Sequence, residues 1–148
     1  VMEQLAPDGP VYQAGTLSGN PVATAAGLAV LELLTDTVYV ELTNCVRRLA
    51  DGVDGALRSA GLSVQVPVVS TLFSVFFADA PVRDYGEAAR AGANGRYTPF
   101  FHAMLDSGIA LAPSPYEVAF CSLAHEPSDI DETIAAAEAA ATLVAKSA

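Results

Sequence analysis

Residues 38–78 read VYVELTNCVRRLADGVDGALRSAGLSVQVPVVSTLFSVFFA, and a change of rhythm inside this stretch sets the fold class. Up to Ser59 the apolar residues Val38, Leu42, Val46, Leu49, Val53 and Leu57 recur three and four apart, the spacing of one face of a helix. Gly61 follows where a helix C-cap is expected, because glycine takes the left-handed backbone that such a cap needs. Beyond it, Leu62 to Val69 and Leu72 to Ala78 are rich in Val, Leu and Phe and read as two strands, broken near Ser70-Thr71.

Upstream, Asn20-Pro21 gives a helix start: the Asn side chain can cap and Pro is tolerated in the first turn. The run Val22 to Leu34 then reads as an Ala-rich helix, apolar on nearly all sides, which predicts burial against something on most of them. The first twenty residues hold Pro7, Gly9, Pro10, Gly15 and Gly19 without apolar periodicity and read as a loop arm. Downstream, Asp79 to Gly95 is polar and reads as loop. Tyr97, Phe100, Phe101, Met104 and Leu105 have helical spacing up to Gly108 and are expected in the core. Short strands are expected at Ile109–Leu111 and Ala119–Cys121, on either side of a turn at Pro113-Ser114-Pro115-Tyr116-Glu117. Ser128-Asp129-Ile130-Asp131 resembles a capping box ahead of a last helix that ends near Ala145. The order of elements predicts an α/β (α+β) domain with helices packed on a mostly antiparallel sheet. It divides into a loop arm (1–20), a connecting helix (21–36) and a small α/β domain (37–148).

Composition narrows the partners. With 148 residues and 52% apolar content the chain can bury one core. A net charge of -10 disfavours nucleic acid and anionic membrane, both of which repel an acidic surface. The longest apolar stretch, Pro21 to Leu34, contains Glu32 and falls short of the roughly 20 residues a membrane span needs. The first residues show no basic-then-apolar leader, so the cytosol is the expected location. Cys45 and Cys121 lie far apart without a CxxC, and no His pair has metal-ligand spacing, so free, buried thiols and no metal site are expected. Six of the seven basic residues are Arg, and the only lysine is Lys146.

One stretch has the composition of an anion site. Gly15-Thr16-Leu17-Ser18-Gly19-Asn20-Pro21 gathers small residues, two hydroxyls and open amides just before a helix start, which suits a phosphate or carboxylate. It suits an ordinary capped loop equally well, and it matches neither GxxxxGK[ST] nor GxGxxG.

Three blocks carry a family resemblance. Residues 9–21, GPVYQAGTLSGNP, resemble a segment of the glutamate-1-semialdehyde aminomutases, members of the class III, fold-type I aminotransferases that use pyridoxal 5'-phosphate (PLP). The second block is Phe100–Gly108 with Leu111-Ala112-Pro113-Ser114, and the third is Tyr116–Phe120 with Ser122-Leu123-Ala124-His125 and Asp129-Ile130-Asp131. The Thr-x-x-x-Asn-Pro element is shared by many class III aminotransferases, whereas the other two blocks resemble the aminomutases in particular.

The resemblance implies that the chain is the carboxy-terminal part of such an enzyme and ends as its small domain. It implies that the Gly15-Thr16 turn donates to the phosphate of PLP, or of pyridoxamine 5'-phosphate, held by the neighbouring subunit of a homodimer. Tyr12 and Ser18 are implied to line that pocket, and Glu117 to lie at the active-site edge and position the substrate's ammonium group. The implied reaction is internal amino exchange that turns glutamate-1-semialdehyde into 5-aminolevulinate, on the way to tetrapyrroles (porphyrins). The Schiff-base lysine is implied to lie before Val1, which leaves the chain alone without covalently bound cofactor and inactive. Two other readings remain open: part of another class III aminotransferase, or a stand-alone, non-catalytic interaction module. The chain also departs from the family where relatives carry glycines, at Val69-Ser70-Thr71-Leu72-Phe73-Ser74, so a loop needing positive φ there would be strained and substrate-side geometry around Ser70 is in question. A second departure, Ala91-Gly92-Ala93-Asn94-Gly95-Arg96, replaces a more charged segment and reads as a surface difference.

Overall fold

Asn20 starts the first long helix as its sequence predicts: its side-chain oxygen accepts from the amides of Val22 and Ala23, both at 3.1 Å, and Pro21 takes the first helical position. Helix α1 spans Pro21–Leu33. The computed structural model describes residues 1–146, which fall into two units, Val1–Thr35 and a second beginning at Asp36. The first unit holds, besides α1, a single 3-10 turn at Met2–Gln4 and a bridge between Leu5 and Val11. It buries none of its side chains.

The second unit carries the core. Helix α2 spans Asp36–Ser59 and buries Val46, Leu49, Ala50, Val53, Ala56 and Leu57 on one face; Val38 and Leu42, nearer its start, are half-buried. Its end closes as a Schellman motif. Gly61 sits at φ +80°, its amide donates to Arg58 O at 2.9 Å, and that of Leu62 donates to Leu57 O at 3.1 Å. Leu57 and Leu62 are both buried, the apolar contact that accompanies this cap.

The two long strands expected after Gly61 form one interrupted hairpin instead. Only β1 (Val68–Val69) and β2 (Leu72–Phe73) are regular, while Gln65 and Phe76 pair farther out. All three pairings, 65 with 76, 68 with 73 and 69 with 72, keep one register. The ladder breaks at Pro67, which has no N–H; its carbonyl accepts from Ser74 N at 3.3 Å and nothing can return the bond. Strand β3, Ala119–Phe120, joins β2 antiparallel and completes the order β1-β2-β3, in agreement with the expected antiparallel sheet.

Between hairpin and β3 the sequence reading needs three corrections. The segment 79–95 is not all loop: helix α3 runs Tyr85–Ala93. Asp84 accepts from Glu87 N at 2.8 Å and Glu87 accepts from Arg83 N at 2.7 Å, a capping arrangement that fixes its first turn. Ile109–Leu111 forms no strand; two prolines follow within a few residues and remove the donors a ladder needs. Helix α4, Tyr97–Asp106, is as expected and buries Phe100, Ala103 and Met104, but Phe101 is only half-buried and Leu105 is exposed. Gly108, at φ +84°, ends it with the same cap as Gly61, Ile109 N donating to Met104 O at 2.9 Å.

Helix α5 spans Pro127–Lys146. Its cap lies two residues earlier than the sequence suggests: Asp129 accepts from Glu126 N at 2.7 Å, while Asp131 pairs with Arg48 of α2. The small residues Ala136, Ala137, Ala140 and Ala141 are buried along α5 with Ile130 and Val144. They bring it close to α2, where Gly52 faces Ile134 without room for a Cβ. Phe100, Leu57, Met104, Val46, Val64 and Val144 fill the centre.

Candidate functional site

The candidate residues fall in two places. Tyr12, Gly15, Thr16 and Ser18 belong to the first unit, where all four are exposed, and Glu117 belongs to the second.

Around Gly15 the chain makes two successive turns. Gly15 O accepts from Ser18 N at 3.1 Å and Leu17 O from Asn20 N at 3.0 Å. Any side chain at Gly15 would collide with the Ser18 hydroxyl, and Gly19, at φ +86°, takes the backbone conformation that lets the turn run straight into Asn20. Because Asn20 already serves the first α1 amides, the donors left open are in the turn itself. The amides of Gly15, Thr16, Leu17 and Gly19 and the Thr16 hydroxyl meet no acceptor among the described residues. Neutral, exposed donors gathered over so few residues fit the oxygens of a phosphate group, which needs several hydrogen bonds at once.

Glu117 closes a tight turn. Ser114 organises it from within: its carbonyl accepts from Glu117 N at 3.3 Å and its hydroxyl from Tyr116 N, also at 3.3 Å. On one side the turn borders a cavity of about 240 Å³ lined by Phe73, Tyr97, Phe100, Met104, Leu111 and Phe120 among others. Glu117, Ser74 and Thr133 also line it, in a wall that is mostly apolar. Tyr97 fixes the approach to the turn, its hydroxyl donating to Ala112 O at 2.7 Å, and burial raises its pKa above the ordinary 10.0. On the other side Tyr116 rests against α3, its ring 6.1 Å from that of Tyr85. The sequence reading missed this contact together with α3.

Ser70 sits at the tip of the hairpin with φ +54°, so the non-glycine residue there does occupy the left-handed region. His125 is a local turn residue: its Nδ1 accepts from Ser122 N at 3.0 Å. The thiols of Cys45 and Cys121 are free; Cys121 is buried, whereas Cys45 is only half-buried. Among the described residues no three His, Cys, Asp or Glu side chains gather as a metal site, and no single helix is long and apolar enough to cross a membrane.

No family model matches the chain. Individual proteins do. It is 47% identical over 146 residues to the glutamate-1-semialdehyde 2,1-aminomutase of Anaeromyxobacter sp. (strain Fw109-5), covering 99% of this chain and 34% of that protein. Against the enzyme of the same name from Opitutus terrae it is 52% identical over 132 residues, covering 88% of this chain and 31% of the relative. The chain therefore spans about a third of the length of these relatives. Among solved structures it resembles an omega-transaminase from Sphaerobacter thermophilus, with a TM-score of 0.73 and 26% identity over 98% of this chain and 33% of that one. A transaminase with PLP bound shares the fold at a TM-score of 0.74 and 23% identity, over 99% of this chain and 33% of its own. Identity along nearly its whole length, on a fold shared with PLP transaminases, makes the chain similar to the carboxy-terminal third of the glutamate-1-semialdehyde 2,1-aminomutases of the class III aminotransferase group.

Proposed function

We propose that this chain is the carboxy-terminal part of a homodimeric enzyme that converts glutamate-1-semialdehyde to 5-aminolevulinate by internal amino exchange, with PLP and pyridoxamine 5'-phosphate as the two forms of its cofactor. The observation that carries this reading is the 47% identity to a curated aminomutase over 99% of the chain. When bound, the cofactor supplies the electron sink that makes the carbanion chemistry accessible.

The part played by this chain is to bind and orient. The open amides around Thr16 and its hydroxyl hold phosphate oxygens of the cofactor on the neighbouring subunit, and neutral donors suffice because the anion brings the charge. Tyr12 and Ser18 flank that phosphate. Glu117, a carboxylate at the rim of an apolar wall, holds the ammonium of the substrate and keeps it oriented for proton transfer. The lysine that shuttles protons and links the cofactor belongs to the preceding part of the enzyme, since Lys146 closes α5 and matches no catalytic motif. The isolated chain is accordingly inactive. The enzyme works in the cytoplasm, and its product feeds tetrapyrrole formation.

The full-length enzyme should form 5-aminolevulinate from glutamate-1-semialdehyde with no external amino donor. If turnover instead requires a separate amino donor and a 2-oxo acid, the protein is an ordinary class III transaminase. For the chain alone, borohydride reduction in the presence of PLP should label no lysine stoichiometrically. Specific labelling of Lys146 would overturn its exclusion from the chemistry.

A further inference from the structure

The segment 91–96 reads in sequence as a surface difference, yet it contains a point of close packing. Gly92 lies in α3, and a Cβ placed on it would come 2.8 Å from the Tyr116 hydroxyl oxygen, 3.2 Å from Tyr116 Cζ and 3.4 Å from Pro115 Cγ. Tyr85, two helical turns earlier, stands 6.1 Å from Tyr116 between ring centroids, at an interplanar angle of 34°. Helix α3 therefore offers a notch at Gly92 and a ring at Tyr85, and Tyr116 lies along both. Pro115 and Tyr116 immediately precede Glu117, whose amide is tied back to Ser114 within the same turn. A backbone displacement at Tyr116 would be carried through one peptide unit to Glu117.

We propose that α3 is the seat of the Glu117 turn, and that Gly92 and Tyr116 are positioning residues for the Glu117 carboxylate. This rests on the reading that Glu117 holds the substrate's ammonium. Tyr116 remains 50% exposed, so its ring contributes little to the core and its contact with α3 fixes where the turn lies. At Gly92 two effects oppose each other. Helix propensity favours alanine over glycine, if less strongly in the last turn, where Gly92 lies, while the notch excludes it. Gly92→Ala thus separates stability from placement: the fold keeps or gains stability and the turn moves.

The test is a double-mutant cycle in the full-length enzyme, with spectra of the isotope-labelled 148-residue chain as an independent readout. Glu117→Gln is expected to raise KM for glutamate-1-semialdehyde. Gly92→Ala should lower kcat/KM by about tenfold through KM, the order of one weakened hydrogen bond to a charged group, and should add little once Glu117→Gln is present. Adding Tyr116→Phe to Gly92→Ala removes the atom nearest the new methyl and should restore much of the loss. In the chain, Gly92→Ala should shift the amide resonances of Tyr116 and Glu117 without lowering the melting temperature. If Glu117→Gln leaves KM unchanged, the reading of Glu117 fails. If Glu117→Gln acts but Gly92→Ala changes neither KM nor those resonances, or the two substitutions add independently, the seat at Gly92 is wrong.

Discussion

Ser70 holds φ at +54° with a Cβ attached, in a region where an L-residue other than glycine costs roughly 1–2 kcal/mol. The sequence reading already pointed here, because Ser70-Thr71 falls where the family resemblance implies glycines, and Ser70 does take the left-handed conformation. Ser70→Gly is therefore expected to stabilise the second unit, by up to about 1 kcal/mol after the added freedom of the unfolded chain is subtracted; a urea midpoint that fell would contradict the strain. Cys121 makes a different kind of test. Burial first, then the hydrogen bond and charge of Cys45, push its thiol from the ordinary 9.0 up to about 12. The folded state thus favours the protonated thiol, so this contribution to stability is complete below the unfolded pKa and is lost as pH rises from about 9 towards 12. Alkylation at pH 8 should reach Cys45 well before Cys121, and Cys121→Ala should flatten the alkaline loss of stability. Equal labelling rates would show that the thiol is not held in the core as described.

At the scale of elements, helices were legible where an apolar stripe and a glycine cap coincide. Both α2 and α4 have these signals, and both end on a left-handed glycine. Helix α3 was missed because its buried face is only Ala88 and Ala91, too small to register as a stripe; Asp84-x-x-Glu87 was the readable signal, a capping box without an apolar run behind it. The strands were drawn too long because side-chain type was weighed above Pro67, whose missing donor divides the ladder. The turn at Gly15–Gly19 was legible from composition, whereas the contact between α3 and Tyr116 was not, since sequence does not say which glycine faces which ring. Two glycines of α2 give a matched prediction. A Cβ at Gly52 would collide with Ile134, but at Gly55 it would meet nothing within 4 Å. Gly52→Ala should destabilise by about 1–3 kcal/mol through overpacking, and Gly55→Ala should stabilise by up to about 1 kcal/mol through propensity. Denaturation midpoints moving in the same direction for both would refute the close α2–α5 approach.

For the molecule as a whole, the uneven distribution of burial matters most. Helix α1 leaves Val22, Leu28, Val30, Leu31 and Leu33 exposed by 56–76%, the apolar surface for which the sequence expects a cover. A surface of that kind favours association. Sedimentation of the isolated chain should show concentration-dependent self-association that Leu28→Lys and Leu31→Lys weaken; a strictly monomeric profile at high concentration would count against it. The absence of any buried side chain in residues 1–35 also governs what calorimetry can see. With no core of its own, that unit has no cooperative transition and contributes next to nothing to the excess heat capacity. A melting curve of this chain is a report on the second unit, in which Glu117 stands, and damage to the Gly15–Ser18 turn will leave it unmoved; only a bound phosphate group can make that turn visible.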